Sequence, residues 1–171
     1  MSLNFKAETP KELVFEHLAE YLHRNNLRIN KQDNTRPWGG FFVIEEKETK
    51  KFISLYFPDL ARKILKISGK LSPKILVVAP EKRLSWQYHY RRSEIWRLIG
   101  GNAAVVTSDS DEEKEKQYLK TGDVVELKQG ERHRLIGLDN WGIVAEIWQH
   151  SDTENPSNEE DIVRLQDDFG R

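Results

Sequence analysis

The sequence predicts an all-β fold, an antiparallel double-sheet sandwich or barrel, with a helical extension in front of it. From Arg36 onward, short apolar or alternating segments follow one another with turn residues between them, which is typical of antiparallel strands. Before Arg36, apolar residues recur at helical spacing. For a chain of 171 residues, we expect a helical extension at 1–35 and one globular domain at 36–171.

The extension has a helix start signal and an apolar face. Thr9, Pro10 and Glu12 match a capping box, with Thr9 at the N-cap and proline at the first helical position. Apolar residues then recur at helical spacing, at Leu13, Val14, Leu18, Tyr21 and Leu22. We therefore expect a helix through about Arg24, ended by the polar run 30–35 and packed on the outside of the β domain.

The β region divides into short segments. The predicted strands are 41–46, 52–57, 74–79, 84–90, 94–99, 102–107, 118–119, 123–127, 133–136 and 142–149. Turn residues separate them, among them the pairs Gly100 and Gly101, and Asp139 and Asn140. A further helical turn is expected near 58–65, and the charged run 108–116 is expected to be a solvated hairpin loop.

Composition excludes several classes of function. Lys and Arg total 27 against 28 Asp and Glu, so the net charge of −1 provides no basic surface for nucleic acid. Cysteine is absent, which excludes disulfides and thiolate metal sites. No apolar run approaches the roughly 18 residues of a membrane span, and the N-terminus lacks a signal-peptide pattern. We therefore expect a cytoplasmic protein without nucleic-acid or membrane partners.

The segment from Leu84 to Trp96 carries the clearest chemistry. Read as a strand, it places Gln87, His89 and Arg91 on one face and Trp86, Tyr88 and Tyr90 on the other. By the same alternation Arg92 is expected to face away from the polar side, and Arg134 to face outward. The aromatic face is expected to pack on the second sheet or the helix, or to form a homodimer contact.

Histidine, carboxylate and amide side chains in this region predict a metal site. Gln87, His89, Glu94 and the later His133 would supply four ligands to Zn²⁺, Mn²⁺ or Fe²⁺ and leave positions open for a substrate oxygen. The alternative is that both histidines are ordinary half-buried strand residues that only form hydrogen bonds.

These residues carry a resemblance to a known family. The span from Leu84 to Trp96 resembles the first cupin motif of the type II mannose-6-phosphate isomerases, Leu-Ser-x-Gln-x-His-x-His-Arg-x-Glu-x-Trp. The span 122–137 is similar to their second motif, Gly-x5-Pro-x-Gly-x2-His-x3-Asn. The Arg-Pro-Trp-Gly-Gly at 36–40 and the ending 160–171 are similar to the opening and the tail of the same domain. Four motifs in order, covering about 36–171, are more specific than either cupin motif alone.

The resemblance implies a jelly-roll cupin barrel with a sugar-phosphate isomerase activity in carbohydrate metabolism. Such an enzyme moves a proton between C1 and C2 of a sugar phosphate through an enediol, with assistance from a divalent metal. Glu94, Glu126, Lys128 and Glu131 are candidates for the base, and the sequence does not rank them, so the catalytic base is left unassigned. No nucleotidyltransferase domain precedes the cupin part in this sequence, so guanylyltransferase activity is not expected.

The chain departs from the family motifs at three positions. Arg91 replaces the second histidine, Lys128 the proline and Gly137 the asparagine. Because arginine has no lone pair to offer a metal, two interpretations stay open. Either the metal binds to the four predicted ligands while Arg91 and Lys128 bind the substrate, with Arg91 on the phosphate, or Arg91 pairs with Glu94 and no metal binds.

Three functions from different classes follow. The first is the metal-assisted sugar-phosphate isomerase, and the second is a non-catalytic cupin that binds a sugar or sugar phosphate. The third is another cupin enzyme, either a sugar epimerase or an iron oxygenase that uses two histidines and a carboxylate. Exchange of the substrate C2 proton, metal content of the purified protein, and oxygen uptake with Fe²⁺ distinguish the three.

Overall fold

The structure, a computed structural model, describes residues 1–65 and 69–171. Its helices are α1 (Lys11–Arg24), α2 (Thr49–Tyr56) and α3 (Ala61–Leu65), with short 3-10 helices at Glu46–Glu48 and Pro58–Leu60. Its strands are β1 (Ile29–Asp33), β2 (Gly39–Ile44), β3 (Leu71–Val78), β4 (Trp86–Tyr88), β5 (Arg92–Ser108), β6 (Gln117–Leu119), β7 (Val124–Leu127), β8 (Arg132–His150) and β9 (Val163–Gln166). Within the described ranges, no helix is both long and apolar enough to cross a membrane.

The strands form one antiparallel sheet that folds back on itself. Its order is β1-β2-β3-β8-β4-β9, and β5 pairs with β6, β7 and β8. The long strands β5 and β8 pair along most of their length, with irregularities near Gly100 and Gly101. β3 pairs with the second half of β8, and β4 pairs with its first half. The irregular region of β5 and β8 near Gly100 and Gly101 is therefore a bend that separates two layers. The predicted antiparallel double-sheet fold is confirmed, although the described strands do not close into a barrel.

Glycine at 101 lets β5 bend without ending. Its φ is 66°, and a Cβ there would lie 1.7 Å from the carbonyl oxygen of Trp141. No other residue fits this backbone and this contact. The prediction of separate strands at 94–99 and 102–107 was therefore wrong, because both are parts of β5. The predicted strands 133–136 and 142–149 are likewise parts of β8.

The predicted strand at 52–57 was also wrong, because these residues lie mostly in helix α2. A short apolar run fits a buried strand and a buried helix equally well. Helical spacing brings Phe52, Ile53 and Tyr56 to one buried face, which packs on the outer side of the sheet. The helical turns expected near 58–65 are confirmed by the 3-10 helix at Pro58–Leu60 and by α3.

The N-terminal helix is confirmed at Lys11–Arg24, but its start differs from the capping-box prediction. Pro10 is the N-cap, and no side chain caps the helix, so Thr9 does not have the predicted role. Phe15 stacks on Phe42 of β2 at a ring-centroid distance of 5.1 Å, which fixes the helix against the sheet. The division at 35/36 stays a prediction; β1, which lies before it and was not predicted, pairs with β2.

Alternation along β8 separates two cores and positions the site. Ile143, Ala145 and Ile147 belong to the cluster that includes the helices. Val144 belongs to the interior cluster between the two layers. Because successive side chains of a strand point to opposite faces, the next residues on the interior side are Glu146 and Trp148. Glu146 therefore lies next to the apolar interior cluster and is the first polar side chain after Val144 on this face of β8.

Candidate metal centre and cavity

Two histidines and one glutamate from β5, β8 and the turn after β4 lie close together inside the folded sheet. His89 follows β4, Glu94 lies on β5 and His133 lies on β8, and all three are buried. The Nε2 atom of His89 is 3.3 Å from Oε1 of Glu94, and that of His133 is 3.6 Å from Oε2. One candidate ligand atom from each residue lies within 4.8 Å of the others. The geometry therefore brings three of the four predicted ligands into one cluster.

The outer ring nitrogens of both histidines contact backbone carbonyls. His89 Nδ1 lies 2.6 Å from the carbonyl oxygen of Asp161, and His133 Nδ1 lies 2.9 Å from that of Glu131. A carbonyl oxygen only accepts a hydrogen bond, so each Nδ1 carries the proton and donates it. Each ring therefore has its Nε2 atom turned toward Glu94. Such carbonyl contacts are typical of metal-binding histidines.

The environment of the His133 Nε2 atom is the best test of whether a metal ion fits these three residues. It is buried, and within the described part of the chain it has no hydrogen-bond partner. A buried acceptor that faces a carboxylate oxygen without a proton between them is costly, and a cation between the two atoms removes that cost. The donor set of two imidazoles and a carboxylate suits a borderline divalent ion. His89, Glu94 and His133 therefore fit the predicted metal.

Gln87, the fourth predicted ligand, lies beside this cluster. It is directly opposite His133 in the β4–β8 pair, and together with Glu94 it lines the cavity that is described below. Its Oε1 accepts a hydrogen bond of 2.6 Å from the hydroxyl of Ser85. A carbonyl oxygen has a second lone pair, so this bond orients the amide without excluding it as a ligand. Its role in metal binding stays a prediction.

The predicted inward position of Arg91 was wrong. β4 ends at Tyr88 and β5 begins at Arg92, and the bend between them breaks the alternation on which the prediction depended. Arg91 instead contacts Asn155 and lies 3.8 Å from Asp161, outside the cavity. It therefore neither faces a substrate in the cavity nor pairs with Glu94.

The position of Lys128 also differs from the prediction, whereas the aromatic face agrees with it at Trp86. Lys128 lies in the turn between β7 and β8, where it is exposed and does not line the cavity. On the aromatic face, Trp86 is buried and donates its indole hydrogen to the carbonyl of Asp111, whereas Tyr90 is 60% exposed. Packing within the chain thus accounts for Trp86, and the homodimer stays a prediction.

Arg92 has the place that the prediction gave to Arg91. It is buried, and its Nε donates to Oε1 of Glu94 at 2.6 Å. Its Nη2 lies 3.0 Å from Nε2 of His89. The expectation that Arg92 faces away was wrong, because the bend between β4 and β5 shifts the alternation by one residue. Arg134 was expected to face outward, and it does not line the cavity, but it is buried and donates to the carbonyl of Leu84.

Glu146 is the residue that the sequence interpretation missed. It pairs with Trp96 across β5 and β8, and the Trp96 indole N–H lies 3.0 Å from Oε2 of Glu94 and 3.2 Å from Oε1 of Glu146. Burial, and after it the charge of Glu94, raises the pKa of Glu146 to about 8. The signal in the sequence was a single acidic residue inside the otherwise apolar segment 141–148.

The other ionisable groups of the cluster differ from Glu146 in their protonation. Burial alone would raise the pKa of Glu94, but the charge of the Arg92 guanidinium and its hydrogen bond hold that pKa below the ordinary range. Burial lowers the pKa of His89 to about 4, against the opposing effect of Glu94. At neutral pH the site therefore contains an ionised Glu94, a neutral His89 and a largely protonated Glu146.

A cavity of about 620 Å³, including its open mouth, reaches this cluster at Glu94. Lys74, Arg92, Glu94, Glu146 and Trp148 lie along its inner part, and Arg36, Arg164 and Arg171 also line it. Lys74 is buried, and its ammonium lies 3.6 Å from the ring centre of Trp148 and 2.5 Å from Glu159. Cationic side chains outnumber carboxylates in this lining, so the cavity suits an anionic ligand.

The comparisons with known proteins concern the family and the fold of this chain. The family model for the mannose-6-phosphate isomerase C-terminal domain matches residues 45–167. The alginate biosynthesis protein AlgA of Pseudomonas aeruginosa is 29% identical over 127 residues, which are 72% of this chain and 24% of that protein. The chain thus spans about a quarter of the length of this relative.

Solved structures are similar in fold at low identity. A structure from work on DMSP lyases has a TM-score of 0.55 at 12% identity and covers 96% of this chain and 74% of its own. The capsular polysaccharide assembling protein CapF of Staphylococcus aureus has a TM-score of 0.52 at 15% identity, covering 82% of this chain and 34% of its own. At these identities the likeness supports the fold alone.

Proposed function

The chain belongs to the mannose-6-phosphate isomerase C-terminal family, and from this premise we propose that its cavity converts an aldose phosphate into the corresponding ketose phosphate. The observation that supports the reaction best is the position of Glu146. A buried carboxyl group whose pKa is raised to about 8 lines the same cavity as Glu94, which belongs to the cluster with His89 and His133. A group that exchanges its proton near neutral pH, next to cations, suits proton transfer at a carbon beside a carbonyl.

Glu146 has the proton-transfer role in this proposal. In its ionised form it removes the proton from C2 of the open-chain aldose, and the electrons of the C2–H bond form the double bond of the enediol. As this double bond forms, the carbonyl π electrons move onto the oxygen on C1, which takes up a proton. Glu146 then returns its proton to C1, and the oxygen on C2 releases a proton that balances the one gained by the oxygen on C1, which gives the ketose. Atoms and electrons balance without an oxidant or reductant. A pKa near the working pH lets one carboxyl group act first as base and then as acid.

Three arginines supply the binding site for the phosphate group. Arg36, Arg164 and Arg171 all line the cavity, and after burial the charges of Arg171 and Arg36 contribute to lowering the pKa of Arg164. Guanidinium groups bind phosphate oxygens through paired N–H donors. Arg171 is held by two hydrogen bonds from its guanidinium to Asp167, at 2.8 and 3.0 Å, which orient it before a ligand binds.

His89, Glu94 and His133, with Gln87 as a further candidate, would hold the divalent metal, which is Zn²⁺, Mn²⁺ or Fe²⁺ in this proposal. A bound ion there polarises the substrate carbonyl and stabilises charge on its oxygen. The chain's own contribution is to orient both rings through the carbonyls of Asp161 and Glu131, and to surround the site with buried side chains that exclude water.

Exchange of the C2 proton tests this function directly. Mannose 6-phosphate is incubated in D₂O with the protein and either Zn²⁺ or Mn²⁺, and loss of the C2 proton signal is followed by NMR. We expect exchange with the wild-type protein and a rate about 10²- to 10⁴-fold lower for Glu146→Gln, because the amide cannot transfer the proton. Glu126→Gln is the matched control, since Glu126 is exposed and pairs with Lys63 outside the cavity. Wild-type protein without exchange, or a fully active Glu146→Gln variant, would contradict the proposal.

A second candidate function, binding of a sugar phosphate without turnover, is favoured by one observation. The Arg92 guanidinium already contacts His89 Nε2 and Glu94 Oε1, so the cavity is cationic without an added ion. Calorimetric titration of chelator-treated protein with mannose 6-phosphate measures such binding. Saturable binding together with no C2 exchange in either metal would establish it over isomerisation.

A further inference from the structure

Arg92 contacts two of the three residues that form the candidate metal site. Its Nε donates to Oε1 of Glu94 at 2.6 Å, and its Nη2 is 3.0 Å from Nε2 of His89. The planar guanidinium therefore bridges an imidazole nitrogen and a carboxylate oxygen with two separate N–H groups. His133 differs from its two neighbours, because in the described ranges its Nε2 has no such donor.

While the Arg92 guanidinium contacts Nε2 of His89, a metal ion cannot bind to that nitrogen. An imidazole nitrogen without a proton has one lone pair, which binds either one hydrogen or one metal ion. Since Nδ1 of His89 donates to the carbonyl oxygen of Asp161, Nε2 is the acceptor for Arg92. A guanidinium keeps its charge at all relevant pH values, so it also repels a divalent ion beside it.

Other contacts hold Arg92 in this position. Its Nη1 donates to the hydroxyl of Ser157 at 2.8 Å and lies 3.3 Å from the carbonyl oxygen of Asn158. The guanidinium also lies 3.5 Å from the ring centre of Trp148. Each of these partners belongs to β8 or to the segment that follows it. The bridge is thus a built part of the site and not a side chain that reaches it by chance.

We propose that the Arg92 guanidinium competes with a divalent metal for His89 Nε2 and Glu94 Oε1, and thereby sets the metal affinity of the cavity. The inference rests on the metal site of the proposed function. It assigns a role to a residue outside the ligand set: Arg92 balances the charge of Glu94 when no ion is bound and must leave both atoms when one binds. Removing Arg92 therefore strengthens metal binding, whereas a residue with only a structural role would weaken it when removed.

The experiment measures the affinity for Zn²⁺ in chelator-treated protein by competition with a chromogenic chelator at a fixed pH. We expect Arg92→Met to bind Zn²⁺ at least about tenfold more tightly than wild type. Arg91→Met is the matched control, because Arg91 lies outside the cavity, and its affinity should stay within about twofold of wild type. In thermal denaturation, Arg92→Met should melt below wild type in chelator, and Zn²⁺ should raise its Tm more than that of wild type.

A measurement on the wild-type protein covers the case in which Arg92→Met does not fold. The side-chain Nε–H resonance of Arg92, assigned through its backbone, should shift or lose its protection from exchange when Zn²⁺ is added. An unchanged resonance at Zn²⁺ saturation would overturn the inference, and so would equal or weaker Zn²⁺ binding by Arg92→Met. The C2 exchange assay is a separate readout, so isomerisation and competition can fail independently.

Discussion

At the scale of single residues, the site depends on a one-residue shift in alternation. His89, Arg92 and Glu94 all point to the interior, although strict alternation from His89 would place Arg91 there instead. The bend between β4 and β5 breaks the period of two, and the side chains after it change face. Arg92 enters the cluster for this reason, and Arg91 contacts the C-terminal segment.

The buried His150 predicts a pH dependence of stability. Its Nδ1 accepts the backbone N–H of Ser157 at 2.9 Å, so its Nε2 carries the proton that is donated to the hydroxyl of Ser72 at 2.7 Å. Burial, and after it the charge of Lys70, lowers the pKa of His150 to about 4. Between about pH 6.5 and pH 4 the unfolded chain therefore binds more protons than the folded one, so this group lowers stability as the pH falls.

His150→Gln removes this titration while keeping an acceptor and a donor in similar places. Between pH 7 and pH 5, wild type should lose on the order of 1 kcal/mol more free energy of unfolding than the variant. Urea denaturation of both proteins at the two pH values measures the difference. The comparison with wild type is needed because the raised pKa of Glu146 acts in the opposite direction over this range. An equal loss in both proteins would show that His150 does not cause the effect.

At the scale of elements, the segment after β8 positions the turn between β4 and β5. The Asp161 carboxylate accepts the backbone N–H groups of Tyr90 and Arg91, at 3.1 and 3.0 Å, and the hydroxyl of Ser157 at 2.6 Å. Its carbonyl oxygen accepts the Nδ1 proton of His89. One residue of the C-terminal segment thus holds the bend and orients a candidate metal ligand.

Asp161→Asn tests this link between elements. The amide has one acceptor oxygen where the carboxylate has two, so at least one of the hydrogen bonds at the bend is lost. We expect the free energy of unfolding to fall by about 1–3 kcal/mol, measured by urea denaturation. Affinity for Zn²⁺ should fall about 10- to 100-fold, measured by chelator competition. Glu160→Gln, at the exposed neighbouring position, should change neither quantity. Wild-type values for Asp161→Asn in both measurements would argue against the link.

At the scale of the whole molecule, one half of the folded sheet is buried on both faces. Its inner face packs on the other layer, and its outer face packs on α1 and α2. Helices on one face explain why β3 and the second half of β8 are buried at nearly every position instead of alternating between buried and exposed residues. The N-terminal helix is therefore part of the core that supports the site.

Phe15→Ala measures how much the helical layer contributes. Phe15 is 1% exposed and stacks on Phe42, so its removal should lower the free energy of unfolding by about 3–5 kcal/mol. Leu13→Ala, on the same helix at 54% exposure, is the control and should cost less than about 0.5 kcal/mol. Chemical denaturation of the three proteins gives both values. Equal stability of the two variants would mean that α1 is not docked through Phe15.

The sequence by itself determined the antiparallel double-sheet class, the N-terminal helix, the family and the choice of His89, Glu94 and His133 as candidate ligands. Each of these follows from local periodicity or from short motifs. The tertiary structure decided the rest. Glu146 reaches Trp96 from another strand, and Asp161 reaches His89 from beyond β8, so no local pattern contains either contact. Arg92 is close in sequence to its partners His89 and Glu94. Even so, a bend that is held by distant residues determines the face of the sheet on which the Arg92 side chain lies. The alternation of a strand predicts the direction of its side chains only while the strand is regular, and this site lies at the bend between β4 and β5, where the alternation breaks.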